Sequence, residues 1–132
     1  MKYVLLLYGD ENRWADMTPE QSAEDMQRWG AFYEELAAAG AFVAGEGLDA
    51  TPSATTVRVK GGEVVHTDGP FAETREQLGG FYLLECPDLD AALGWAAKVP
   101  DLGEGGCVEV RPVMDYEAAG YEQPEGAEAT QA

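Results

Sequence analysis

Tyr3-Val4-Leu5-Leu6-Leu7-Tyr8 is an unbroken apolar run that stops at Gly9-Asp10. Its length suits a β-strand and falls far short of the ~20 residues a membrane-spanning helix requires. Because no polar residue alternates along it, both of its faces need cover. Gly79-Gly80-Phe81-Tyr82-Leu83-Leu84-Glu85 repeats that character near the far end of the chain. Two such strands decide the fold, since whatever packs on one face leaves the other to be sealed.

Working outward from the first strand, Thr18-Pro19-Glu20-Gln21 is a complete helix start. Thr18 caps, Pro19 suits the first helical position, and Gln21 can reach back in a capping box. Ala23, Met26, Trp29, Phe32, Tyr33, Leu36 and Ala37 recur at helical spacing and Gly40 ends the pattern, so a helix is expected over 19–39. Ala41 to Leu48 reads as a strand, in which Gly45 and Gly47 signal close backbone approach or a bulge. Thr55 to Lys60 alternates cleanly, and Gly61-Gly62 is a two-residue hairpin turn. The resulting register pairs Val59 with Val64, Val57 with His66 and Thr55 with Asp68, with His66 and Asp68 on the face of the valines. A second helix starts at Asp88, with Leu89, Ala92, Leu93, Ala96 and Val99 as its buried stripe and Pro100 as its stop. Cys107 to Val113 alternates again and closes the sheet. The expected domain is 1–116, followed over 117–132 by an acidic tail rich in Glu, Ala, Gly and Gln that is expected to be disordered.

This order predicts an α+β fold, a ferredoxin-like sandwich in which an antiparallel sheet carries two helices on one face. Two helices cover one face only. The economical cover for the other is a second copy of the chain, giving a homodimer that forms an α+β barrel. The formal net charge of −17, from 25 acids against 8 lysines and arginines, opposes nucleic acid and anionic membrane surfaces as partners. Cys86 and Cys107 are the only cysteines and no leader pattern precedes the first strand, so reduced thiols in a cytoplasmic protein are expected.

The stretch with the most specific chemistry is Thr67-Asp68-Gly69-Pro70-Phe71-Ala72-Glu73-Thr74-Arg75-Glu76-Gln77-Leu78-Gly79-Gly80-Phe81. Asp68-Gly69-Pro70 reads equally as a rigid corner and as a device that aims Asp68 at a pocket. His66, the single histidine, lies on the same strand face as Asp68, so the pair can carry protons near neutral pH. One histidine excludes a multi-histidine metal site within one chain, and no cofactor is expected. Arg75 can grip an anionic group bidentately, flanked by Glu73 and Glu76, while Phe71 is expected to anchor the loop. Tyr8 and Tyr82 sit in buried strands and can line an interior; Trp14 is placed to cover a pocket mouth.

Met1-Lys2-Tyr3, Leu7-Tyr8-Gly9-Asp10-Glu11, Gly45-Glu46-Gly47-Leu48, the Asp-Gly-Pro-Phe loop and Val108-Glu109-Val110-Arg111-Pro112-Val113 follow one another at a spacing that resembles the DGPF branch of the YCII-related family over about residues 1–116. The resemblance implies a dimeric α+β barrel and brings no established reaction. Shorter members carry a proposed His–Asp site, whose flanking residues do not match those of His66 and Asp68. It also implies a regulatory setting, since DGPF members are often encoded beside extracytoplasmic-function sigma factors. Two readings follow. One is a homodimer that binds a small organic molecule beside the Asp68-Gly69-Pro70-Phe71 loop, with cofactor-independent acid–base chemistry by Asp68 and His66. Arg75, Glu73, Glu76, Phe71 and Tyr8 would contact the ligand. The other is a non-catalytic interaction module linked to a sigma factor. A cofactor-free oxygenase is a third, and requires a deep apolar cavity.

Overall fold

The computed structural model describes residues 1–122. Six strands and three α-helices follow in the order β1 (Lys2–Gly9), α1 (Glu11–Ala15), α2 (Pro19–Ala38), β2 (Phe42–Gly47), β3 (Thr55–Lys60), β4 (Glu63–Asp68), β5 (Gln77–Glu85), α3 (Leu89–Ala96) and β6 (Cys107–Pro112). Four strands form one antiparallel sheet in the order β2-β5-β1-β6, and β3-β4 form a separate two-stranded ribbon. The connections β1-α2-β2 and β5-α3-β6 each skip one strand, which is the ferredoxin-like arrangement the sequence predicts.

Local chemistry explains the boundaries of α2. The Thr18 hydroxyl accepts from the Gln21 N–H at 3.1 Å, and the Gln21 side chain accepts from the Thr18 N–H at 3.0 Å, so the capping box is complete. At the other end Gly40 takes φ +69, and the N–H groups of Gly40 and Ala41 return to the carbonyls of Ala37 and Leu36. That is a Schellman closure, in which the positive φ favours glycine. The helix buries Phe32 and Leu36 against Tyr3 and Leu5 of β1 and Leu84 of β5; Ala92, Ala96 and Val99 complete the core.

Several sequence expectations shift. Met26 is exposed, although it lies within the apolar pattern of α2. In α3 the alanines Ala92 and Ala96 face inward, while Leu89 and Leu93 are nearly half exposed. Small residues on the inner face let α3 approach the sheet closely, which pushes the leucines to the flanks. The segment after β1, where no helix was expected, contains α1, whose N-terminus is capped by the Asp10 carboxylate accepting from the Asn12 N–H at 2.9 Å. Residues 116–121 form a turn in which the Tyr121 N–H donates to the Tyr116 carbonyl at 2.7 Å. The expected disordered tail lies, from residue 123 onward, outside the described residues.

The β3-β4 ribbon has the expected register, with Val59 opposite Val64, Val57 opposite His66 and Thr55 opposite Asp68. Gly61 and Gly62 take φ values of +58 and +82, the geometry that a tight two-residue hairpin demands. The ribbon stands apart from the main sheet, so its valines are not covered by it.

Alternation in β1 and β5 assigns Tyr3, Leu5, Tyr82 and Leu84 to the helix-covered face, and Val4, Leu6, Phe81 and Leu83 to the other. The second set is half-buried in the single chain, and Lys2, Glu85, Glu109 and Arg111 lie on the same face nearer the edges. No helix of the described residues is long and apolar enough to cross a membrane.

Candidate functional site

Between α2 and the helix-covered face lies a cleft of about 570 Å³. Trp29 and Tyr33 of α2, Phe42 of β2, Tyr82 of β5 and Trp14 of α1 form its aromatic walls. The indole of Trp29 and the ring of Tyr82 are nearly parallel, at 7° and 6.2 Å between centroids, and Phe32 supports Tyr82 edge-on at 5.4 Å. Tyr33 meets Phe42 edge-to-face at 4.9 Å. Gly45, Gly47, Gly79 and Gly80 line the sheet side; open space lies in front of Gly47, while neighbouring atoms pack closely on the other three.

The glycines have identifiable reasons. Leu7 pairs with Gly80 while the next residue, Tyr8, pairs with Leu78, so Gly79 is the extra residue of a bulge. A Cβ on Gly79 would lie 2.4 Å from the Trp14 ring, closer than atoms can approach. A Cβ on Gly80 would meet the Glu46 carbonyl oxygen at 2.7 Å. The Gly79-Gly80 pair therefore seats Trp14 and brings β5 and β2 together at the end of the cleft.

At one end of the cleft, charges converge from three parts of the chain. Asp25 lies one helical turn before Trp29 and lines the same space. Arg28 binds Asp25 at 2.8 Å and also binds Asp101; Arg13 binds Glu104 and lies 3.5 Å from Asp101. Asp101 takes φ +68, its side chain is only 10% exposed, and its Oδ2 has no hydrogen-bond partner. Desolvation raises the pKa of Asp25 above the ordinary carboxyl range; the adjacent Asp101 carboxylate adds to this, and Arg28 opposes it. Burial also raises the Tyr82 hydroxyl.

The sequence-derived candidates are arranged differently. His66 and Asp68 share one face of β4 and are both exposed. Arg75 and Glu76 border a groove of about 610 Å³ with Asp10, Arg13 and Glu104, whereas Glu73 lines a separate recess with Thr51, Pro52 and Pro70. Tyr8 borders a small cavity of about 40 Å³. None of the seven lines the aromatic cleft. Phe71, expected to anchor the loop, is 77% exposed in the single chain. The corner is held by backbone instead: the Gly69 N–H donates to the Ala54 carbonyl at 2.7 Å and the Thr56 hydroxyl donates to the Gly69 carbonyl at 2.8 Å. Gly69 takes φ +96, so the Asp-Gly-Pro motif has a structural task whatever else it does.

Cys86 is buried and Cys107 exposed, both as free thiols. Burial pushes both pKa values up, and a hydrogen bond to Glu76 adds to this at Cys107, so neither is activated as a thiolate. No cluster of three or more metal-ligating side chains occurs among the described residues.

Sequence reasoning missed Asp25 and Asp101 and gave Trp29 to helix packing. The available signal was Asp25 itself, an acid four residues before Trp29 on the stripe that continues to Leu36. Asp101 had no comparable signal, because its burial depends on α1 and α2 arriving beside it.

The architecture is thus a ferredoxin-like α+β domain with an aromatic cleft under its longer helix. The chain matches the YCII-related domain over residues 1–117 and belongs to that family. It is 38% identical over 117 residues to an uncharacterized protein of Rhizobium meliloti (strain 1021), covering 88% of this chain and 94% of the relative.

Proposed function

We propose that this protein is a homodimer that binds a small organic molecule in the cleft between α2 and the main sheet. One observation carries the reading: aromatic rings wall a space of about 570 Å³ whose sheet side is glycine backbone. Small-molecule sites are typically about 300–1,000 Å³, mostly apolar, with a few placed polar groups. Here those groups are Asp25 and its charged neighbours. His66, Asp68 and Arg75 stand outside the cleft, so the proposal is one of binding and assigns no chemical step.

Support for the dimer comes from Val4, Leu6, Phe81 and Leu83, which form an apolar centre on the sheet face that no helix of the described residues covers. At −17 per chain, two copies repel at long range, so their contact has to be apolar at its centre. Leu83→Arg is expected to convert a dimer into a monomer in sedimentation velocity. A wild-type protein that sediments as a monomer at high concentration refutes the dimer.

Ligand binding is tested by native mass spectrometry of gently purified protein together with tryptophan emission titrations. Retained mass, or saturable quenching lost in Trp29→Ala, is expected. Neither signal across an apolar ligand panel overturns the reading.

A second reading, a non-catalytic module that docks a regulatory protein such as a sigma factor, is favoured by the ribbon. Val57, Val59 and Val64 there are 60–68% exposed on one face. Contiguous apolar surface of this kind marks interaction sites. Co-purification lost in Val59→Lys, with the main-sheet dimer intact, would support it.

A further inference from the structure

We propose that the ligand of the aromatic cleft is an organic amine, its flat apolar body against Trp29, Tyr82 and Phe42 and its ammonium group directed to Asp25, beside Asp101. The inference rests on the binding reading above and adds the chemical class.

The lining is one-sided in charge. Asp25 and Glu46 border the cleft, and no lysine, arginine or histidine does. An anionic ligand would find no partner on these walls. The electron-rich faces of tryptophan, tyrosine and phenylalanine attract cations, so the same rings that take an apolar body also favour a charged head.

The acids at the end of the cleft are also undercompensated. Arg13 and Arg28 face Asp25, Asp101 and Glu104, which leaves one negative charge in excess. Both arginines address Oδ1 of Asp101, while Oδ2 is buried without a donor. That oxygen is shut off from solvent, so the carboxylate an ammonium group can reach with its three donors is Asp25 on the cleft wall. Asp101 borders, with Asp10, Glu104 and Arg13, the cavity of about 40 Å³ that shares Leu7, Trp14 and Trp29 with the aromatic cleft. That space matches a group the size of a water or an ammonium head and is too small for the body of a ligand. Arg28 binds both Asp25 and Asp101, and Asp25 borders the larger space, so the two acids stand side by side where the spaces meet.

A donor-requiring acceptor discriminates among cations. A primary or secondary amine can hydrogen-bond to the Asp25 carboxylate, whereas a quaternary ammonium cannot. The chain's −17 charge further raises the local concentration of cations at low ionic strength.

The test compares 2-phenylethylamine, its trimethylammonium derivative, 2-phenylethanol and 3-phenylpropanoate by isothermal titration calorimetry on the full chain. The amine is expected to bind on the order of tenfold tighter than the alcohol and tighter than the quaternary cation, with the carboxylate weakest. The double variant Asp25→Asn/Asp101→Asn should bring the amine down to the affinity of the alcohol. Asn is isosteric and accepts a positive φ, so Asp101→Asn alone provides a check should the double variant melt early. Equal binding of amine and alcohol, or tighter binding of the carboxylate, overturns the amine inference and leaves the cleft as a binding site. Binding of no probe, or binding that persists in Trp29→Ala, removes the cleft itself.

Discussion

The aromatic cleft and the Asp-Gly-Pro-Phe loop are opposite solutions to the use of glycine and aromatic residues. In the cleft, Gly79 and Gly80 make room for the Trp14 ring and for a neighbouring strand, and the rings of Trp29, Tyr82, Phe32 and Phe42 support one another. In the loop, Gly69 supplies a positive φ, and the aromatic Phe71 projects from the chain with little to touch. The cleft is thus built by tertiary packing and the loop by backbone chemistry. A motif can be conspicuous in sequence because it solves a turn, while a site can be nearly silent because its members are scattered.

The sharpest way to break the contrast is to truncate each region's apolar groups. Leu36→Ala beneath the cleft should cost about 2–5 kcal/mol, since it leaves a cavity at a fully buried position. Phe71→Ala should fall within about 0.5 kcal/mol, as exposed substitutions do. Urea denaturation of both variants measures the difference. A large loss at Phe71 would show that the loop is packed in solution, against a partner subunit for example.

Gly79→Val should cost about 1–3 kcal/mol by overpacking and displace the Trp14 ring, which a red shift in tryptophan emission would report. At the loop, Gly69→Ala should cost about 1 kcal/mol because of its φ of +96, and more than Asp68→Ala. The reverse order would mean that the Asp68 side chain, not the backbone, holds the corner.

The smallest expected effect concerns alkaline stability. Burial raises Cys86 in the folded state above its ordinary value of 9.0, so the folded chain holds that proton more tightly than the unfolded one. Its contribution is complete below pH 9.0 and is lost as pH rises through the folded value. Tyr82 acts with the same sign above its ordinary value of 10.0. Cys86→Ala should therefore flatten the fall of melting temperature with rising alkaline pH, after allowance for its own packing loss. An unchanged slope would assign the effect to Tyr82 or to general charge repulsion.

Much of the fold was legible because its determinants are local. Thr18, Pro19 and Gln21 specify the start of α2 within four residues, and Gly61-Gly62 sets a register that carries His66 opposite Val57. α1 escaped because five residues, Glu-Asn-Arg-Trp-Ala, are too few to display a helical apolar stripe. Leu89 and Leu93 misled because periodicity shows that a face exists and not how closely it docks.

By itself the sequence determined the order of the strands and helices, the ribbon's register and the apolar character of both faces of the central strands. These follow from apolar patterning, capping and turn chemistry acting over short spans of chain. Only the tertiary structure decided that Trp14, Asp25, Trp29, Tyr82 and Asp101 share one place. Those residues come from α1, α2, β5 and the segment after α3, and what unites them is packing across the sheet, which no local pattern records.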